Sequence, residues 1–177
     1  GLQESVYKAW EYHLHPRRLY WNLRSGTNVY SRDWDLLLIL DACRVDALEA
    51  VADEYDYLPE SIPSIVSVGQ GSPHWMVGTF TDQYREEQQQ TAYISANPYT
   101  RMTLGPPHDG RHSEVGGLDI LDEFANFMLV WEHGWDLDQG TVPASEVTDR
   151  LVHYGRSNDT PRVIAHYMQP HFPSVPD

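Results

Sequence analysis

Five apolar residues in a row, LLLIL at 36–40, run straight into an aspartate at position 41. The run shows no alternation, so a strand built from it has no face to give to water. Antiparallel strands with one solvated face alternate apolar and polar residues. Central strands of parallel sheets are covered by helices on both faces and read as continuous apolar runs. The run therefore predicts a central parallel strand, and with it a layered α/β domain. The carboxylate at its end falls where open parallel sheets gather their ligands.

The rest of the chain follows that lead. Val45, Leu48 and Val51 or Ala52 recur at helical spacing and predict a helix over 45–54. After the proline-punctuated YLPESIP, the segment SIVSV at 64–68 reads as a second strand. GQGS follows, with Ser72 at a helix cap and Pro73 in its first turn, and Met76, Val77 and Phe80 as the apolar face. TAYISA at 91–96 is the third expected strand, and 97–117 reads as a loop rich in Pro, Gly and His. LDILDEFANFMLVWEHGW, 118–135, carries apolar residues at helical spacing and is the clearest expected helix. Another opens at Pro143 and runs to about Tyr154, and PRVIAHYM, 161–168, is the last strand. Strands alternating with helices argue for a three-layer α/β/α domain with a mainly parallel sheet. Residues 1–30, with Tyr7, Trp10, Tyr20, Trp21, Arg17 and Arg18, read as a helical, aromatic arm, and 31–177 as the α/β body.

Length and charge narrow the function. A chain of 177 residues is enough for one domain with a real core. It has 26 acidic residues against 12 basic ones, a formal net charge of -14, and Lys8 is its single lysine. Such a surface repels nucleic acid and anionic membranes. Acidity with almost no lysine also points to a cytoplasmic protein of a high-salt cell, where screening relieves self-repulsion. Cys43 is the sole cysteine, which rules out an internal disulfide and a cysteine cluster for zinc. No apolar run approaches the roughly 20 residues needed to span a bilayer. The chain starts on Gly1 and ends on HFPSVPD, as a piece of a longer protein would. The oligomeric state is not legible.

The polar residues past the strands are the candidates for chemistry. Asp41 is a hard oxygen donor for a divalent cation, or a carboxylate capping the next helix. Arg44 can bind an oxyanion through its planar fork, or pair with Asp46 or Glu49. Ser72 stands where a helix start aims N–H groups at an anion, with Gly69 and Gly71 allowing close approach. Its hydroxyl could attack a phosphoryl or sulfuryl centre if a metal lowered its pKa; the plainer role is an ordinary cap. His166 and His171 follow the last strand and can ligate a metal or donate to a leaving oxygen. His74, Asn97 and His166 are further possible substrate contacts, and Cys43 fits packing better than attack.

Four stretches, WDLLLILDACRVDAL, SVGQGSPHWMVGTF, YISANPY and HYMQPHFP, span 34 to 173 and together resemble the alkaline phosphatase and sulfatase superfamily in its archaeal sulfatase-like branch. The resemblance implies an alkaline-phosphatase-like fold of which this chain is the N-terminal portion. It implies Asp41 as a metal ligand, Ser72 as nucleophile and His171 facing substrate oxygens, with Arg44 a further catalytic candidate. The cation would be Zn, Mn, Mg or Ca, and the substrate a phosphate or sulfate ester. The chain departs from classical sulfatases in having LDA where they have a paired DD, and in lacking C-x-P-x-R or S-x-P-x-R. An unmodified serine suits phosphoryl transfer. The late Asp-His pair of the superfamily, often within DHG, does not occur among these residues. The alternative expectation is a catalytically silent α/β domain that assembles or binds surfaces.

Overall fold

The computed structural model describes residues 26–59, 61–107 and 117–173. Four strands, β1 (Leu36–Leu40), β2 (Thr91–Ser95), β3 (Asn126–Leu129) and β4 (Arg162–Tyr167), form one sheet in the order β1-β4-β2-β3. Every pairing is parallel. The helices are α1 (Val45–Glu49), α2 (Ser72–Thr79), α3 (Arg85–Gln89), α4 (Tyr99–Leu104), α5 (Trp131–Gly134) and α6 (Ala144–Ser157). With α2 and α4 packed together over one face and α6 over β2 and β4 on the other, the architecture is a three-layer α/β/α sandwich.

Alternation along the strands divides the core in two. Tyr93, Ile164, Leu37, Ile39 and Phe127 turn toward Met76 and Phe80 at α2 and Leu104 at α4. Ala92, Ile94, Val163 and Ala165 turn the other way, onto Val147, Leu151 and Tyr154 of α6. Those three recur at intervals of three and four residues, the stripe a helix needs to lie on a sheet. Register aligns Ile39 of β1 with His166 of β4 and His166 with Ser95 of β2. This row faces the α2 layer and lies just inside the carboxyl edge.

Several expectations are corrected. β1 is parallel, but among the described residues it is an edge strand. It is also not covered on both faces: Leu36, Leu38 and Leu40 are 49%, 51% and 40% exposed. The reason is spatial, since α6 lies over β2 and β4, and α1 buries no residue of its own. The segment 64–68 forms no strand; one backbone bond, from Thr27 N to Val66 O at 2.8 Å, ties it down. The segment 118–135 is not one helix but a 3-10 turn at Leu121–Glu123, then β3, then α5. Phe127 enters one core and Met128 packs on the other, so this short apolar run satisfies a two-faced strand as well as a helix stripe. The helix expected over 45–54 stops at Glu49 and resumes as a 3-10 turn at Ala52–Glu54. Helix α4 lies in the segment expected to be loop. Of the expected arm, residues 1–25 lie outside the described residues, while Tyr30 is buried in the core beside α2.

Candidate active site

A parallel sheet brings the ends of all its strands to one edge. Asp41 stands one residue past β1 and Asn97 two past β2, with the end of β4 between them. Each lies two residues beyond the row Ile39–His166–Ser95, so the two side chains reach the same height. The Asp41 backbone N–H still donates to Tyr167 O at 3.3 Å, and Ala96 N–H to His166 O at 2.9 Å, which holds both exits on β4. Directly after Asp41 the chain turns out of the sheet through Ala42, whose φ is +59°.

Ser72 arrives from the helix layer. The cap of α2 is Gly71, in extended backbone, and Ser72 is the first helical residue with Pro73 next. The expectation of Ser72 as the cap is thereby corrected: its hydroxyl caps nothing and instead donates to Asp41 Oδ2 at 3.3 Å. Gly69 is required for a different approach from the one expected. A Cβ there would collide with the backbone of His74 and Trp75, so the glycine lets the loop fold against the first turn of α2. At Gly71 a Cβ would meet open space.

Around the carboxylate the polar groups form a chain. Asn97 Nδ2 donates to the same Asp41 Oδ2 at 2.9 Å and lies 3.5 Å from His166 Nε2. His166 Nδ1 lies 2.8 Å from the Tyr93 hydroxyl. Asn97 Oδ1 accepts from the Tyr99 N–H at 2.9 Å, and the Asn97 carbonyl accepts from Thr100 N and Oγ1, which starts α4. Burial pushes the His166 pKa down to about 4, so the ring is neutral at ordinary pH. Burial likewise pushes the Tyr93 phenol well above its usual value, the hydroxyls of Ser95 and Thr100 offsetting part of the rise. Trp75 closes the side, its ring edge-on to His166 at 6.4 Å between centroids.

Asp41, Ser72, Asn97 and His166 are thus brought together. The remaining sequence candidates are elsewhere. Arg44 pairs with Asp46 through two bonds of 2.8 Å, both side chains exposed, as its plainer reading has it. His74 is exposed on α2. His171 lies in the exposed turn after β4, its Nδ1 2.6 Å from Phe172 O and without a hydrogen bond to the four. Cys43 is half-buried with its sulfur near Arg44 O. Tyr93 and Trp75 were missed by sequence reasoning. Alternation within TAYISAN would have found the first, since residues 93, 95 and 97 share a face.

As a cation site the cluster is partial. Asp41 Oδ2 and Ser72 Oγ are oxygen donors of the kind a hard divalent ion takes, but such ions take six or more ligands, or four for zinc. Among the described residues no group of three or more His, Cys, Asp or Glu side chains stands together. No helix among them is long and apolar enough to cross a membrane. Compared with known proteins, the chain matches no family model, no curated protein and no solved structure.

Proposed function

We propose that this chain carries the nucleophile side of a hydrolase or transferase acting on phosphate or sulfate esters, as its resemblance to the alkaline phosphatase and sulfatase superfamily implies. One observation supports it above the others: a serine hydroxyl at the first position of a helix, free of capping duty, rests on a carboxylate at the end of a separate strand. The chemistry is then simple. Ser72 Oγ forms a bond to phosphorus or sulfur, its proton leaving along the hydrogen bond to Asp41. The ester bond breaks, its oxygen keeps the bonding pair and takes up a proton from water, and the alcohol departs. The oxygen of water, or of another acceptor, then bonds to phosphorus or sulfur, the bond to Ser72 Oγ breaks, and the proton held by Asp41 returns to the serine. The N-terminus of α2 favours the negative charge of the group being transferred. Asp41 and Ser72 fit one side of a Zn, Mn, Mg or Ca ion, which when bound would lower the serine pKa and offset charge on the leaving oxygen. This reading assigns no step to Arg44 or His171.

The test is turnover of phosphate and sulfate ester panels, under several divalent cations, by the complete product of the reading frame that encodes this chain. Ser72→Ala should abolish turnover while keeping the fold, since no cap is lost. Unchanged turnover overturns the assignment. A second reading, a non-catalytic domain that assembles with a partner, is favoured by the open leucine face of β1. It predicts a folded protein that turns over none of these esters and associates through that face. Under either reading the acidic surface suits a high-salt cytoplasm and no nucleic-acid partner.

A further inference from the structure

The side-chain amide of Asn97 has two hydrogens and one oxygen to place, and the structure places all of them. The oxygen faces the Tyr99 N–H and the nitrogen faces the Asp41 carboxylate, both at 2.9 Å. A backbone N–H only donates and a carboxylate only accepts, so turning the amide over would set like against like at both ends. The nitrogen therefore stays toward His166, 3.5 Å from Nε2. An NH2 group offers only hydrogens, so Nε2 must present its lone pair. The ring is 1% exposed and neutral, which puts its one proton on Nδ1, aimed at the Tyr93 oxygen 2.8 Å away.

We infer that Tyr93 and His166 are positioning residues for Asp41: His166 receives one amide hydrogen of Asn97 on Nε2, Tyr93 holds the ring in place by accepting its Nδ1–H, and the other amide hydrogen is thereby directed onto the carboxylate that faces Ser72. This rests on the reading of Asp41 and Ser72 as the reactive pair. Folding alone gives no reason for the arrangement. Tyr93 is surrounded by Phe80, Phe124 and Phe127, where a phenylalanine would pack as well. A buried imidazole costs desolvation that an aliphatic side chain avoids. Polar groups have been carried through an aromatic core, and their outer end is the Asp41 carboxylate. The sequence of contacts resembles the outer shell that orients the ligands of metal and catalytic sites, where removing a partner costs about 10- to 100-fold in affinity or activity.

Two readouts need no activity. Long-range proton–nitrogen spectra of the full chain should show His166 neutral with its proton on Nδ1. The Asn97 side-chain amide should exchange slowly, and lose that protection in Tyr93→Phe and His166→Leu. A third uses turnover: both variants should lower kcat about 10- to 100-fold with KM little changed, and His166→Gln, which restores an acceptor for Asn97, should recover much of the loss. His166 found charged, or carrying its proton on Nε2, overturns the inference without any variant having to fold. So does full turnover in folded Tyr93→Phe and His166→Leu when Ser72→Ala is inactive. If Ser72→Ala is fully active, the ester reading falls, while the tautomer and exchange results still decide whether the positioning chain exists.

Discussion

β1 and β2 are both five-residue parallel strands flanking β4, and burial treats them in opposite ways. β2, TAYIS, has a hydroxyl at each end and is buried at every position. β1, LLLIL, is apolar throughout and alternates between exposed and half-buried. Hydrophobicity did not decide this; place in the sheet did. β2 lies inside the sheet under helices on both faces, whereas β1 lies beyond the reach of α6. The polar ends of β2 tolerate burial because each has partners. Thr91 receives the Tyr30 hydroxyl at 3.1 Å and donates to Glu87 O, and Ser95 pairs with Thr100 at 2.6 Å. The open row of leucines on β1, across β4 from this well-covered strand, is the apolar surface that the assembly reading would use.

The largest expected effect tests that contrast directly. Ile94→Ala, in the buried strand, should cost about 2–5 kcal/mol in urea denaturation. Leu38→Ala, pointing the same way from β1 but half exposed, should cost well under half as much. If the two substitutions cost the same, the leucine face is covered in solution and the contrast collapses. If Leu38→Lys leaves stability unchanged but abolishes self-association or capture of a partner, the contrast sharpens into an interface.

The second test concerns the polar row beneath the edge. The His166 pKa is depressed from 6.5 to about 4 in the folded chain. The unfolded chain therefore takes up the proton first as pH falls. The stabilisation is complete above about pH 6.5, drains between there and about pH 4, and is level below, a total of roughly 3 kcal/mol. Because carboxylates also titrate at the acid end, the measurement is the difference between wild type and His166→Gln across pH 4 to 7. A parallel pair of curves would mean the ring is not sealed from water.

These contrasts also show what the sequence could and could not reveal. Runs such as LLLIL and RVIAHY announce parallel strands, because near-continuous apolar runs are characteristic of parallel sheets, but the run did not tell that β1 is left open on one face. Whether a strand lies centrally or at the edge is a property of the order β1-β4-β2-β3, which no single run encodes. FANFMLVW fits a helix stripe and a two-faced strand equally, and only its neighbours in space choose. Asp41 and Asn97 were legible because parallel topology sends strand ends to one edge, whereas Ser72, expected there behind a strand over 64–68 that does not form, reaches the edge from the start of α2. Between His166 and His171, proximity to the strand end was a poor guide. Alternation from Ile164 puts His166 on the face that meets α2, and His171 falls past the turn.

The smallest effect lies in how the two strands leave the sheet. β2 exits through Asn97, whose side chain and carbonyl tie down the next three residues. β1 exits through Ala42, held in the left-handed region with φ +59° and no such tether from its own side chain. A residue with a Cβ costs roughly 1–2 kcal/mol there, while glycine adopts it freely. Glycine also gives the unfolded chain more freedom, which returns about 0.4–1 kcal/mol of that. Ala42→Gly should therefore raise stability by between about 0 and 1.6 kcal/mol, a melting rise of no more than roughly 3–6 °C for a chain of this length. Ala42→Val, β-branched at positive φ, should lower it by more. A lower melting point for Ala42→Gly would mean that the turn is not strained. The exits of β1 and β2 would then be equally relaxed, with Asp41 aimed by its contacts with Ser72 and Asn97 alone.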